Sequence, residues 1–271
     1  MSDLRADCGR CMGLCCVASG FARSADFAID KPAGTACPNL SVDDSCSVHA
    51  ELRPRGFAGC TAYDCFGAGQ QVTQVTYAGA VTWRSDPGRA GEMFRVFAVV
   101  RALHELLFYL TEAVRLTGSG PLHDRLVLAV ADTRRLAGES AGTLDGYDVD
   151  GLRERVVPLL REASESVRGP AAARRTPRLP RDLVGRDLRG ADLRAADLRG
   201  AMLVGADLRG AWLHLTDVTG ADLRGTDVRG VDLSSTLFLS QPQANACRGD
   251  ARTTLPPGLE RPAHWVGATP G

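Results

Sequence analysis

Hydrophobic positions recur in this chain with two different rhythms. From Arg181 onward the period is five, and its centres run without a break from Leu183 and Leu188 through Val218 and Val228 to Leu233 and Phe238. Two positions before most centres sits a small residue, as at Ala191, Ala196, Ala201, Ala206, Ala211, Thr216, Ala221 and Thr226. Asp usually precedes the centre and Gly usually follows two later. Neither a helix nor a flat strand repeats on five residues. A chain that turns a corner every five residues does, with the centre and the small residue inward and the other three positions outward.

The second rhythm is helical. From Glu92 to Leu116 there is no Gly or Pro, and Phe94, Phe97, Leu103, Leu106, Leu107 and Leu110 fall mostly at helical spacing, which predicts a buried helix. Gly118-Ser119-Gly120-Pro121 breaks it, with Pro121 placed to open the next helix. Further helices are expected over 122–136 and 151–167, and a linker over 170–180. The β-branched run Val72–Tyr77 predicts a short strand.

The repeats, of which Ala-Asp-Leu-Arg-Gly is typical, resemble the pentapeptide-repeat family over residues 181–240. That resemblance implies a short right-handed quadrilateral β-helix with about four pentapeptides per coil, so that positions about twenty apart stack. The fold class expected is therefore mixed α and β: a Cys-rich metal-binding head with a helical module, then the β-helix. Open ends of such stacks need covers. The helical module is expected to cap the first coil, and residues 241–271 the last. Val184, Met202 and Val204 would face the helical module, and Trp212 would lie under the tail.

Stacking sets Arg189, Arg209 and Arg229 in one outer column beside Asp187, Asp207 and Asp227. The column reads either as a partner or anion surface or as a self-neutralised, solvated face. Lys plus Arg and Asp plus Glu number 32 each, which argues against a nucleic-acid partner. A topoisomerase-directed DNA mimic, a role known among pentapeptide-repeat proteins, calls for a long acidic rod. Residues 181–240 instead carry nine Asp against eight Arg.

No apolar leader and no membrane-length apolar run is seen, which predicts a cytoplasmic protein that does not contact a membrane. In that compartment cysteines are thiols or ligands more often than disulfides. Eight of the nine lie early: Cys8, Cys11, Cys15, Cys16, Cys37, Cys46, Cys60 and Cys65. Two cysteines separated by two residues, as Cys8 and Cys11 are, can turn both sulfurs onto one ion. Vicinal Cys15 and Cys16 serve different ions, or only one of them ligates. His49 is an alternative ligand. His104, in His104-Glu105-Leu106-Leu107-Phe108, lacks the second His of a zinc-protease helix. It reads as a polar spot on an apolar helix or as a second-shell group. Cys247 reads as a small buried apolar residue.

Residues 8–65 resemble the YkgJ-like zinc- or iron-chelating family in Cys37-Pro38-Asn39-Leu40, Cys46-Ser47-Val48-His49 and Arg53-Pro54 before Cys60. One extra residue between Cys11 and Cys15 departs from that family's opening. The layout is also similar to actinobacterial pentapeptide-repeat proteins that join such a head to a His-Glu-Leu-Leu helix. The resemblance implies a metal, either an iron–sulfur cluster (4Fe–4S) or zinc, since all-thiolate sites suit both. The division expected is 1–90 metal-binding region, 91–169 helical module, 170–180 linker, 181–240 repeats and 241–271 cap. The function expected is a metal-binding interaction or regulatory protein with an unidentified protein partner. The competing reading is an iron–sulfur redox enzyme or sensor.

Overall fold

The computed structural model describes residues 4–169 and 179–265. Most of the expected linker, residues 170–178, lies outside them. The chain divides into two compact units, Met1–Leu160 and Arg161–Gly271.

The first unit begins with loops and short helices: a 3-10 turn at Cys8–Arg10, α1 (Leu14–Ala18), a 3-10 turn at His49–Glu51, α2 (Ala58–Ala62) and α3 (Ala68–Gln70). The expected strand over 72–77 is not formed. Residues Gln71–Thr76 continue α3 as a π-helical turn. β-branched propensity loses here to tertiary contacts: Thr73 Oγ1 and Gln74 Nε2 both donate to the Arg10 carbonyl, at 2.7 and 3.0 Å.

Around these loops stand α4 (Pro87–Leu116), α5 (Pro121–Ala137) and α6 (Ala141–Leu144), with α7 (Val149–Arg168) spanning the boundary between the units. α4 begins five residues before its apolar run because Asp86 caps it, accepting from the Arg89 N–H, with Pro87 in the first turn. Met93, Val96, Val100, Leu103 and Leu110 on it are fully buried. It packs mainly against α5, with α1, α3 and α6 also in contact. A bidentate pair, Arg95 to Asp145 at 2.7 and 2.9 Å, ties α4 to the residue after α6.

In the second unit the repeats stack without forming a β-helix of strands. Among the described residues there is no strand and no sheet. Successive coils meet instead in isolated parallel bridges between residues twenty apart, such as Asp182 with Met202, Asp187 with Asp207 and Asp197 with Asp217. The cause is the corner in every repeat. Each Leu carbonyl accepts from the N–H three residues on, as Leu188 does from Ala191 at 3.1 Å. From Leu183 to Val228 the residue two after each centre takes a positive φ: Gly190 at 66°, Gly200 at 61°, Gly210 at 70°. That is the third residue of a tight turn, where Gly is favoured. The extended segment between corners is too short for a run of ladder bonds, so each side pairs through one residue.

The inward and outward assignments follow the period of five. Leu183, Leu198, Leu203, Leu208, Ala196 and Ala206 are buried, in one cluster that also holds Cys247 and Trp265, and Thr226 is buried as well. Where Thr replaces the inward Ala, its hydroxyl donates to a carbonyl of the preceding coil: Thr216 to Leu193 and Thr226 to Leu203, both 2.7 Å. The ladder continues into the tail, where Asp227 pairs with Arg248 and Asp232 with Thr254. There α8 (Gln241–Ala246) replaces a corner, and Gln243 Nε2 donates to the carbonyls of Val218 and Ala221 at 2.8 and 2.9 Å. Trp212 is not under this tail. It is 59% exposed, with the Arg194 guanidinium 4.8 Å from its ring. Val184 and Met202 are also exposed.

At three corners a side chain stands where Gly is usual, and two of these keep the left-handed backbone: Ala195 at φ 58° and Leu215 at φ 57°. Left-handed backbone costs an L-residue roughly 1–2 kcal/mol, and Gly gives back about 0.5–1 of that in entropy. Ala195→Gly is therefore expected to stabilise the repeat unit by about 0.5–1 kcal/mol. Urea denaturation checks it, and a destabilised variant refutes the strain argument.

Candidate functional site

The cysteine head has little regular backbone of its own, so its loops hang on side chains from the helices beside them. The first knuckle, Cys8 to Cys11, is held by Thr73 and Gln74 at the Arg10 carbonyl and by Trp83 Nε1 at the Met12 carbonyl, 2.9 Å. Cys11 lies against Gly69, where an added Cβ would stand 2.6 Å from the Cys11 Cβ. Gly13, at φ 65°, turns the chain into α1, which carries Cys15 and Cys16.

The Cys37 N–H donates to the Cys16 carbonyl at 2.9 Å, and Cys46 pairs as a bridge with Leu40. Cys60 sits on α2, whose Gly59 N–H donates to the Asp26 carbonyl at 3.0 Å. Cys65 is placed from α4: Arg101 Nε donates to the Asp64 carbonyl at 3.1 Å, and His104 Nδ1 lies 2.7 Å from the Phe66 carbonyl. A carbonyl only accepts, so His104 carries its proton on Nδ1. His104 is thus a buried strut beside Cys65. His49 is exposed at the start of a 3-10 turn, its N–H on the Cys46 carbonyl at 3.2 Å.

All eight head cysteines carry free thiols, with Cys11 and Cys65 buried. Their charges interact. A hydrogen bond from Cys8 lowers the Cys11 thiol and raises its own. The same polarisation occurs within α1: Cys15 and Cys16 sulfurs are 3.9 Å apart, with Cys16 lowered and Cys15 raised. Burial pushes Cys60 up to about 11, and raises Cys46 and Cys65 as well. Among the described residues no three His, Cys, Asp or Glu side chains already stand in a metal-holding arrangement. The donor chemistry nonetheless fits a thiophilic ion.

On the repeats each arginine of the predicted column is engaged by its own neighbour. Arg189, Arg209 and Arg229 each make a two-armed pair with the Asp two residues before, with closest contacts of 2.6–2.7 Å. Arg189 and Arg209 also approach the Asp of the next coil at 3.8 and 3.6 Å. The same Asp oxygens accept the backbone N–H of their Arg, closing the turn, as Asp187 does from Arg189 at 3.1 Å. Sequence reading missed two features here. Asp217 is buried and accepts from the Ser164 hydroxyl of α7 and from Thr219 Oγ1 at 2.6 Å. Lys31, the single lysine, is buried within the head. Its scarcity was a signal available from composition.

Stacked five-residue turns under an inward Leu and Ala define a pentapeptide-repeat protein. The pentapeptide-repeats family matches residues 182–214 and 203–238, as eight copies. Over 269 residues, 97% of this chain and 95% of the other, it is 52% identical to the uncharacterized protein YybG of Bacillus subtilis (strain 168) and belongs to the same family. No helix among the described residues is long and apolar enough to cross a membrane.

Two predictions follow from this geometry. His104→Phe strands the Phe66 carbonyl and is expected to cost about 1–3 kcal/mol of stability in urea denaturation; no change would remove the strut. The second concerns acid. Hydrogen bonds from Arg189 pull the Asp187 carboxyl down to about 2, and Arg209 and Arg224 lower Asp207 and Asp222. Folded values below the unfolded value of about 3.9 mean that this stabilisation is complete above it and vanishes as pH falls through the folded values. The melting temperature of the repeats should hold down to about pH 5 and drop between roughly pH 4 and 2. A flat profile by circular dichroism over that range contradicts the linkage.

Proposed function

We propose that this is a metal-binding pentapeptide-repeat protein whose cysteine head holds zinc or an iron–sulfur cluster and whose coil offers a rigid surface to a protein partner. The observation that carries the reading is the set of eight unbridged thiols gathered in one loop-rich region, where the sulfurs of Cys8 and Cys11, and of Cys15 and Cys16, polarise each other. The likeness of residues 8–65 to the YkgJ-like chelating family supports it, as does the absence of regular structure that could shape the head unaided. A structural zinc contributes about 10–16 kcal/mol to folding of such small sites. Free thiols at this density suit a reducing compartment, which favours the cytoplasm.

When bound, the metal supplies a cross-link between loops and, if it is an iron–sulfur cluster, an electron. The chain's own contribution is to hold sulfurs on carbonyl-anchored loops and to keep Cys11 and Cys65 out of water. A redox sensor is the second reading. The polarised Cys15–Cys16 pair favours it, because a lowered thiol is the one that oxidants attack first. A DNA-mimic role finds no support in a coil whose arginines neutralise its aspartates.

Anaerobic purification of the full chain, with metal and sulfide analysis and an absorption spectrum, tests the proposal. Stoichiometric zinc in a colourless protein, or iron with sulfide and a visible band, is the expected result. A folded, metal-free protein that takes up neither zinc nor iron overturns it.

A further inference from the structure

A helix that packs on one neighbour is normally apolar toward that neighbour and polar on the far side. α5 departs from this. It packs on α4, and Leu126, Thr133 and Ala137 are its buried residues. On the opposite side Leu128 is 66% exposed and Val127 44%. Among the described residues only Val42 is a large hydrophobic side chain more exposed than Leu128. Single apolar side chains in water are ordinary. The residues that flank these two along the helix are what give them meaning.

Residues three and four apart share a helix face. Asp124, Leu128, Ala131 and Arg135 therefore form one stripe, and all four are exposed. The stripe is acidic at one end, basic at the other and apolar between. Its spacing of four, three and four residues is the same read from either end. Laid antiparallel on a copy of itself, it sets Asp124 against the partner's Arg135 and Leu128 against the partner's Ala131, and each pairing occurs twice. Opposite charges meet at both ends, and a large side chain faces a small one in the middle. A twofold interface demands such self-complementarity. The two charges also suit the ends of their own helix, where Asp124 is in the first turn and Arg135 in the last. Arg135 Nη1 meets Glu139 at 3.2 Å, yet the Arg135 side chain is 68% exposed. A guanidinium has five N–H groups, so this pair leaves donors for a second carboxylate.

We propose that α5 is the contact face of a symmetric homodimer, in which two copies of this helix lie antiparallel about a twofold axis level with the Ala129–Val130 peptide. Asp124 and Arg135 of one copy bond the partner's Arg135 and the partner's Asp124. The two Leu128 side chains meet near the axis, each over an Ala131, with Val127 at the edge. Three turns of one helix bury less area than a permanent interface needs, so the dimer is weak and forms as concentration rises. The inference does not rest on the metal-binding reading.

Sedimentation velocity of the full chain, in reducing buffer from low micromolar to near millimolar concentration, tests it. Monomer should give way to dimer across that range. Leu128→Glu keeps helix propensity at an exposed position, so it should leave the melting temperature of the dilute protein unchanged and remove the dimer. Asp124→Arg and Arg135→Glu should each raise the dissociation constant about tenfold or more, because the twofold repeats every like-charge contact. Combining those two substitutions restores opposite charges across the axis and should bring affinity back to near wild type. Arg135→Glu loses its bond to Glu139 with or without the second change, so the recovery reports the contact between copies. A chain that stays monomeric throughout overturns the proposal. So does a dimer that Leu128→Glu leaves intact, which places the contact on another face. A double variant as weak as the single ones overturns the antiparallel register. A lower melting temperature for dilute Leu128→Glu shows the stripe covered by the chain itself, and that too overturns the proposal.

Discussion

Every buried backbone N–H and carbonyl must find a partner, and the repeats and the cysteine head must meet that demand with few regular ladders. In the repeats, corners come so often that continuous strands cannot form. Each coil instead passes single pairs of hydrogen bonds to the coil twenty residues on, as where Leu183 donates to Met202 and Met202 to Arg181 at 2.8 and 2.7 Å. In the cysteine head, loop carbonyls are taken by side chains from outside the loop, Thr73, Gln74, Trp83, Arg101 and His104, and by Lys31 within it. The two units answer one constraint differently. The repeat pairs backbone with backbone at long, fixed separation, and the head pairs backbone with polar side chains of a helical frame.

This difference explains what could be read in advance. A strict period is a backbone rule, so the inward positions from Leu183 to Phe238 and the spacing of the bridges were legible. What the period did not disclose was how little of each side would be extended, and the strands of the expected β-helix are absent for that reason. The helices α4, α5 and α7 were legible from apolar spacing and from Pro121, with their first residues misplaced by a few positions because caps such as Asp86 act outside the apolar run. The segment Gln71–Thr76 was misread. Its β-branched residues favour a strand locally, but their partners lie more than sixty residues away at Arg10, and no local pattern carries that. The head was legible as a set of thiols and illegible as an arrangement, since loop geometry is decided by helices that come later in the chain.

The arginine column shows how one residue can serve two demands at once. Each repeat Asp accepts the N–H of the residue two later and so closes a turn, and the side chain at that position is usually Arg, which returns to the same carboxylate. The pair is exposed, and exposed ion pairs contribute little to stability. Its larger effect is on the surface. A guanidinium folded onto its own Asp, with the next coil's Asp also near, offers little unspent charge to an anion. Recognition by the coil would draw instead on shape and on side chains of its other faces, such as Trp212 under the Arg194 guanidinium and the exposed Met202 and Val184.

Charge is treated in the opposite way in the head. There a lone ammonium is drawn inside and given backbone carbonyls, while the thiols that act on it are those of Cys37, Cys16, Cys15 and Cys60, of which burial raises Cys60. Neither side of that arrangement is comfortable without the other. A thiol kept neutral leaves Lys31 uncompensated, and a thiolate formed in a half-buried loop needs a cation.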